Sequence, residues 1–304
     1  MCSDVAAGCS PRDVTAELAR RLVDTQFPQW SALAITPVAR HGVDNRTYRL
    51  GDELSIRLPA GDRYAYQVAK EQHWLPRLAP QLPLPIPQPV AMGRPAFHYP
   101  HHWSVYRWLD GTTAAEAITD WGPIVRPLAR FLRALHRIDA GDAPEPGPHN
   151  FFRGAPLPVY AEETCAAIDA LDDEIDVAGA QAVWAAATGS TWTGEPCWFH
   201  GDVAADNLLT QRGRLTAVID FGLCGVGDPA CDTVLAWTHL DAGSRTTFRR
   251  TLDVDAATWA RGRGWALWKA LVSLRGHLEA GDRHAAAVSR STIDRVIADH
   301  AGER

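Results

Sequence analysis

The stretch WFHGDVAADNLLTQRGRLTAVIDFGLCGVGDPACD, residues 198–232, sets three oxygen-bearing side chains about one turn. His200-Gly201-Asp202 comes first, Asn207 follows five residues after the aspartate, and Asp220-Phe221-Gly222 begins thirteen residues after the asparagine. The apolar runs Leu208-Leu209 and 215–219 flank Gln211-Arg212-Gly213-Arg214, which reads as a hairpin turn between two strands. Folding about that turn is expected to return Asn207 close beside Asp220, with Asp202 on the loop just before the first strand. Two carboxylates and an amide make an all-oxygen set. A hard cation such as Mg²⁺ takes such ligands and leaves room for phosphate oxygens and water.

Outward from this stretch, strands come first and helices later. Ser10-Pro11 followed by 12–27 reads as an N-cap, a proline in the first turn and an amphipathic helix. Residues 33–38, 45–50 and 53–58 are strand-like, with Gly51-Asp52 as a tight hairpin turn. The polar loop 39–45, with Gly42 in it, can offer backbone N–H groups to phosphates. Residues 62–78 have helical spacing, shortened or kinked by Pro76. The proline-rich 81–89 is an extended link to strands near 89–92 and 103–108. The turn Leu109-Asp110-Gly111 is expected to divide a β-rich N-terminal lobe, 1–109, from a mostly helical C-terminal lobe, 110–304. In the latter, helices are expected at 113–119, 123–137, 159–175 and on to 187, and again from Asp228-Pro229 nearly to the end. This order argues an α+β, bilobal fold.

Composition narrows the function classes. A chain of 304 residues can bury a real core, and its 46% hydrophobic and 22% charged content is that of an ordinary globular enzyme. No run reaches the ~18 apolar residues of a membrane span, and 1–13 lacks the pattern of a signal peptide. A net charge of −6 argues against a nucleic-acid partner. The six cysteines, with no C-x-x-C pair, read as free thiols in a reducing cytoplasm. The twelve tryptophans read chiefly as core and packing residues.

The spacing of Asp202, Asn207 and Asp220 resembles that of the aminoglycoside phosphotransferase family, antibiotic and small-molecule kinases of the protein-kinase-like fold. The resemblance is specific across 198–232, moderate at the strand before the lobe boundary and loose elsewhere. It implies ATP or GTP and Mg²⁺ as cofactors. Asp202 would accept or orient the proton of the attacking hydroxyl, while Asn207 and Asp220 would hold Mg²⁺ against the nucleotide phosphates. His200 is expected to brace the loop, His136 to pack at a helix end, and Asp228 and Asp232 to cap or brace. Where such kinases carry a lysine on the third strand, Leu54-Ser55-Ile56-Arg57-Leu58 offers Arg57, able to clamp phosphate oxygens, with Glu71 as its partner. Lys70, on the helix, is the weaker candidate. Residues 104–111 resemble the hinge between lobes, where backbone groups from Arg107 to Leu109 would meet the base; Gly42 would lie in the phosphate loop.

The acceptor is less legible. Residues 162–176 carry Glu162, Glu163, Asp169, Asp172, Asp173, Glu174 and Asp176 without a Lys or Arg. They are candidate contacts for a cationic acceptor, and equally a solvated helix face. The loop Pro148-His149-Asn150-Phe151-Phe152 could line the mouth. The expected activity is phosphorylation of a hydroxyl on an aminoglycoside-type antibiotic, causing resistance. Alternatives are a kinase of a macrolide, peptide antibiotic, choline, homoserine or sugar, and a non-catalytic nucleotide-binding regulator. Oligomeric state is not legible.

Overall fold

A computed structural model describes residues 14–39 and 42–303. The expected cap at Ser10-Pro11, the Arg40-His41 part of the polar loop, and Cys2 and Cys9 lie outside those residues. The chain divides into two units. One runs to Asp110 and includes Ala217–Gly222; the other comprises Gly111–Thr216 and Leu223–Arg304.

In the first unit, helix α1 (Ala16–Gln26) starts at Thr15, whose side chain accepts from the Leu18 N–H. An antiparallel sheet follows in the order β1-β2-β3-β5-β4, from β1 (Ile35–Pro37), β2 (Asn45–Leu50), β3 (Leu54–Pro59), β4 (Pro89–Gly93) and β5 (Trp103–Arg107). β1 is shorter than 33–38 because the Leu33 N–H is drawn into a turn on the Trp30 carbonyl. Gly51, at φ +58°, supplies the left-handed residue that lets Leu50 pair with Leu54 across the hairpin. Helix α2 (Asp62–Leu78) runs through Pro76. The proline falls in the last turn, where it removes one hydrogen bond and does not end the helix. Leu22, Leu50, Ile56, Leu58 and Trp103 form the unit's core, with Trp103 laid on Gly93.

The second unit holds β6 (Thr112–Thr113), α3 (Ala114–Ala117), α4 (Gly122–Leu135), α5 (Ala161–Ala170), α6 (Val177–Thr188), β7 (Cys197–Phe199) and β8 (Leu208–Gln211). It contains the start of β9 (Arg214–Val218), then β10 (Gly225–Gly227), α7 (Leu235–Thr238), α8 (Ala242–Leu252), α9 (Ala256–Glu279) and α10 (Arg283–Ala301). The turn between β8 and β9 is made by Arg212 and Gly213, both at positive φ, as the sequence suggested for a hairpin. The expected helix 159–175 is instead a 3-10 turn, Leu157–Tyr160, then α5, a break and α6. The acidic cluster causes the break: the Asp172 carboxylate accepts from the Asp173 N–H, and Asp176 caps α6 by accepting from Gly179. α9 packs against α5, α6 and α10 and buries Trp259 and Trp265. Among the described residues no helix is long and apolar enough to cross a membrane.

Candidate active site

In the second unit, β7 pairs with β10 and delivers the chain to Gly201, at φ +83°. A Cβ there would stand 2.5 Å from the Leu223 carbonyl oxygen, so glycine is needed both for conformation and for space. The loop is fixed from behind by Asp232, fully buried, whose carboxylate accepts from the His200 N–H at 3.0 Å and the Gly201 N–H at 2.8 Å. The His136 ring nitrogen Nε2 lies 3.0 Å from the same carboxylate. His200, also fully buried, accepts at Nδ1 from the Asp202 N–H at 3.2 Å. Both histidines and Asp232 therefore brace the loop that projects Asp202. Asp228 accepts from the Ala230 N–H and pairs with the buried Arg261 at 2.7 Å, which ties this loop to α9.

Each oxygen of Asp202 has a donor. Lys269 Nζ, on α9, lies 2.8 Å from Oδ1, and Asn207 Nδ2 donates at 3.1 Å to Oδ2 and at 2.9 Å to the Asp202 carbonyl. Burial works to raise the Asp202 pKa, but the Lys269 charge and hydrogen bond, with His200 and Arg153, hold it below the ordinary aspartate value. With Nδ2 turned to Asp202, the Asn207 amide oxygen receives no hydrogen bond among the described residues, and as a neutral hard donor it could serve a cation.

In the first unit, Arg57 on β3 is clasped between two carboxylates. Nη2 is 2.8 Å from Asp220 Oδ1, and Nη1 is 3.6 Å from Glu71 Oε1 on α2. Burial opposes the Arg57 cation, yet Asp220 and Glu71 hold its pKa above the usual arginine value. Burial raises the Glu71 pKa even against Arg57, and its other oxygen accepts from the Tyr106 hydroxyl. Asp220 sits at φ +67°, a left-handed conformation that aspartate tolerates better than most residues. Buried Lys70 donates to the Gly222 carbonyl at 2.7 Å and so holds the turn after Asp220.

The hinge-like segment is partly engaged. The Arg107 N–H donates to Gln88 and the Trp108 N–H to Glu53, which leaves the Leu109 N–H as the one of the three without a backbone acceptor among the described residues. Gly42 is exposed, and its carbonyl accepts from Arg46 at 2.9 Å. Of the acidic run, Glu163 accepts from Trp268 Nε1 at 2.7 Å. Glu162, Asp169, Asp172 and Asp173 are exposed, and Glu174 pairs with Arg290. No three His, Cys, Asp or Glu side chains group as a metal set among the described residues. Asn207 belongs to the second unit and Asp220 to the first.

Sequence reasoning passed over Lys269, Arg153 and Trp268. A cleft in the second unit is lined by Arg153, Asp202, Trp265, Trp268 and Lys269. The Arg153 guanidinium carbon stands 4.8 Å from the Trp268 ring and 5.3 Å from Trp265, and Tyr160 stacks on Trp268 at 4.0 Å. One signal was available. Among thirty Lys and Arg residues only Lys70 and Lys269 are lysines, and each holds one of the two loops.

A model of the phosphotransferase enzyme family matches residues 35–265. An aminoglycoside 3'-phosphotransferase of Escherichia coli is 28% identical over 144 residues, 46% of this chain and 53% of its own length. The chain spans about half the length of the curated relatives it matches. The GDP and kanamycin complex of APH(2")-IIia superposes with a TM-score of 0.68 at 20% identity, covering 94% of this chain and 99% of that one. A macrolide 2'-phosphotransferase type I gives 0.60 at 17% identity, covering 94% and 98%. At these identities the likeness is one of fold. It is the fold expected from the sequence, an antiparallel N-terminal sheet and a mostly helical C-terminal part.

Proposed function

The chain belongs to the phosphotransferase enzyme family, and we propose that it transfers the γ-phosphate of ATP or GTP to a hydroxyl of a small molecule. The observation that carries this reading is the Asp202 carboxylate, kept ionised by Lys269 and presented by a loop that Asp232 braces through two backbone N–H groups. Asp202 orients the hydroxyl and takes its proton as the new P–O bond forms and the bond to the nucleoside diphosphate breaks. Arg57 is the cation offered to the nucleotide's phosphates, held by Glu71 and Asp220.

Asn207 in the second unit offers an amide oxygen and Asp220 in the first a carboxylate, and each by itself is a hard donor of the kind Mg²⁺ takes. When bound it supplies charge neutralisation on the phosphates. The base is read by backbone at the 107–109 hinge, with the Leu109 N–H as the available donor and Gly42 in the loop toward the phosphates.

For the acceptor, the names of the curated relatives put an aminoglycoside-type antibiotic first, phosphorylation adding charge and so causing resistance. A macrolide or another small alcohol is the second reading, favoured by the cleft wall of Trp265 and Trp268, the latter backed by Tyr160. The test is Mg²⁺-dependent nucleotide consumption against a panel of aminoglycosides, macrolides and metabolite alcohols. Asp202→Asn is expected to lower kcat by about 10²–10⁴ while nucleotide still binds. Near-normal turnover in that variant would remove Asp202 from the reaction.

A further inference from the structure

The charges in the cleft beside Asp202 do not balance. Its one carboxylate, Asp202, is matched by Lys269 at 2.8 Å. Arg153 adds a second cation whose hydrogen bonds go only to neutral oxygens: Nε to the Gly201 carbonyl at 3.2 Å, Nη1 to the Tyr160 hydroxyl at 3.3 Å and to the Phe151 carbonyl at 3.5 Å. No carboxylate lies within ion-pair distance of Arg153 among the described residues. The nearest part of the acidic run, Glu163, is held on the indole nitrogen of Trp268 and does not line the cleft. Two indoles, Trp265 and Trp268, complete the walls, and Tyr160 stacks on Trp268.

We infer that this cleft is an anion subsite: the acceptor carries a carboxylate or phosphate close to its reacting hydroxyl, and Arg153 and Lys269 bind it. The inference rests on the phosphotransferase reading, in which Asp202 meets the hydroxyl, and it sets an anionic acceptor ahead of the aminoglycoside that the relatives' names put first. A guanidinium pre-set between aromatic faces takes a carboxylate or phosphate through its planar fork. An ammonium entering the same space meets two cations and a carboxylate already paired. Lys269 is then a specificity-determining residue. It holds the base with one contact and faces the acceptor's anion with the rest of its charge, a task suited to a compact ammonium with three donors.

The test uses the full chain with saturating Mg-ADP and four probes: gluconate, glucose 6-phosphate and glucose, which share one six-carbon frame, and the larger polyamine kanamycin. Calorimetric Kd values are measured for the native protein, Lys269→Gln, Lys269→Glu and Arg153→Lys. The expected result is that gluconate or glucose 6-phosphate binds at least about tenfold more tightly than glucose, with kanamycin weakest. Whichever anion is preferred identifies its source as carboxylate or phosphate. Lys269→Gln should cut that preference to about threefold or less, weakening the anions more than it changes the glucose Kd, Lys269→Glu should favour kanamycin, and Arg153→Lys should weaken the anion while preserving its preference. Kanamycin binding the native protein more tightly than both anions overturns the inference. So does anion affinity indifferent to Lys269→Gln, or the absence of anion binding. Loss of Mg-ADP binding in the native protein would instead overturn the phosphotransferase reading on which the inference stands.

Discussion

Arg57 donates to Asp220 at 2.8 Å while standing 3.6 Å from Glu71, so one guanidinium holds two carboxylates contributed by separate parts of the chain. The cation matters most to Glu71, whose side chain is 5% exposed and whose Oε1 has no hydrogen-bond donor. Arg57→Ala should destabilise the fold by about 3–5 kcal/mol, the cost of leaving one partner of a buried pair. It should also raise the KM for nucleotide. Arg57→Lys keeps the charge but cannot fork to both acids, and its stability should fall between the two. Chemical denaturation and nucleotide titration measure these effects, and an Arg57→Ala protein as stable as the native one would contradict the account.

The Asp202–Lys269 pair has a pH signature. Because the folded pKa of Asp202 lies below its unfolded value, the pair's contribution to stability is complete above the ordinary aspartate range, near ~3.9, and is lost as pH falls through the folded pKa. The acid limb of the kcat profile set by Asp202 should therefore lie below that range. Lys269→Gln removes the largest force lowering the pKa and should move the limb upward. A limb that stays in place would show that Lys269 does not govern this carboxylate.

Asp232 is the brace of the base loop. Asp232→Asn keeps the shape but removes a charge that receives two backbone N–H groups and faces His136. Hydrogen bonds to a charged group contribute about 1.5–3 kcal/mol each. The variant should melt at lower temperature and lose kcat more than it loses nucleotide affinity. Unchanged kcat with lowered stability would confine Asp232 to the fold.

The pair of Arg261 and Asp228, both buried, ties α9 to the segment after β10. Arg261→Met alone should cost about 3–5 kcal/mol because Asp228 is left charged and unpaired, and Asp228→Asn added to it should recover part of that loss. Equal losses in the single and double variants, measured by denaturant unfolding, would argue against coupling.

Much of this was legible in local pattern. The turn at Arg212-Gly213, the strand runs on either side and the cap at Asp228 follow from residues a few positions apart, where turn and capping chemistry is decided, whereas the bracing expected of His200 came from the family resemblance and Asp232 braces residues 31 and 32 positions away. The acidic run was not legible in the same way. A carboxylate that caps α6, pairs with Arg290 or meets Trp268 looks the same in sequence, because aspartate and glutamate suit caps, surfaces and ligands alike.

The amino-acid order of 198–232 by itself determined the loop and hairpin that carry Asp202, Asn207 and Asp220, the side chains proposed for the chemistry, since their spacing is a local property of the chain. Only the tertiary structure decided their partners. Lys269 stands 67 positions from Asp202, and Arg57 163 positions from Asp220. α9 is buried on every side from Arg261 to Trp268, so helical period could not say which loop each of its residues meets; that depends on packing across the whole unit. The charge of the cleft beside Asp202 was therefore invisible until α9 and the Arg153 loop were placed together.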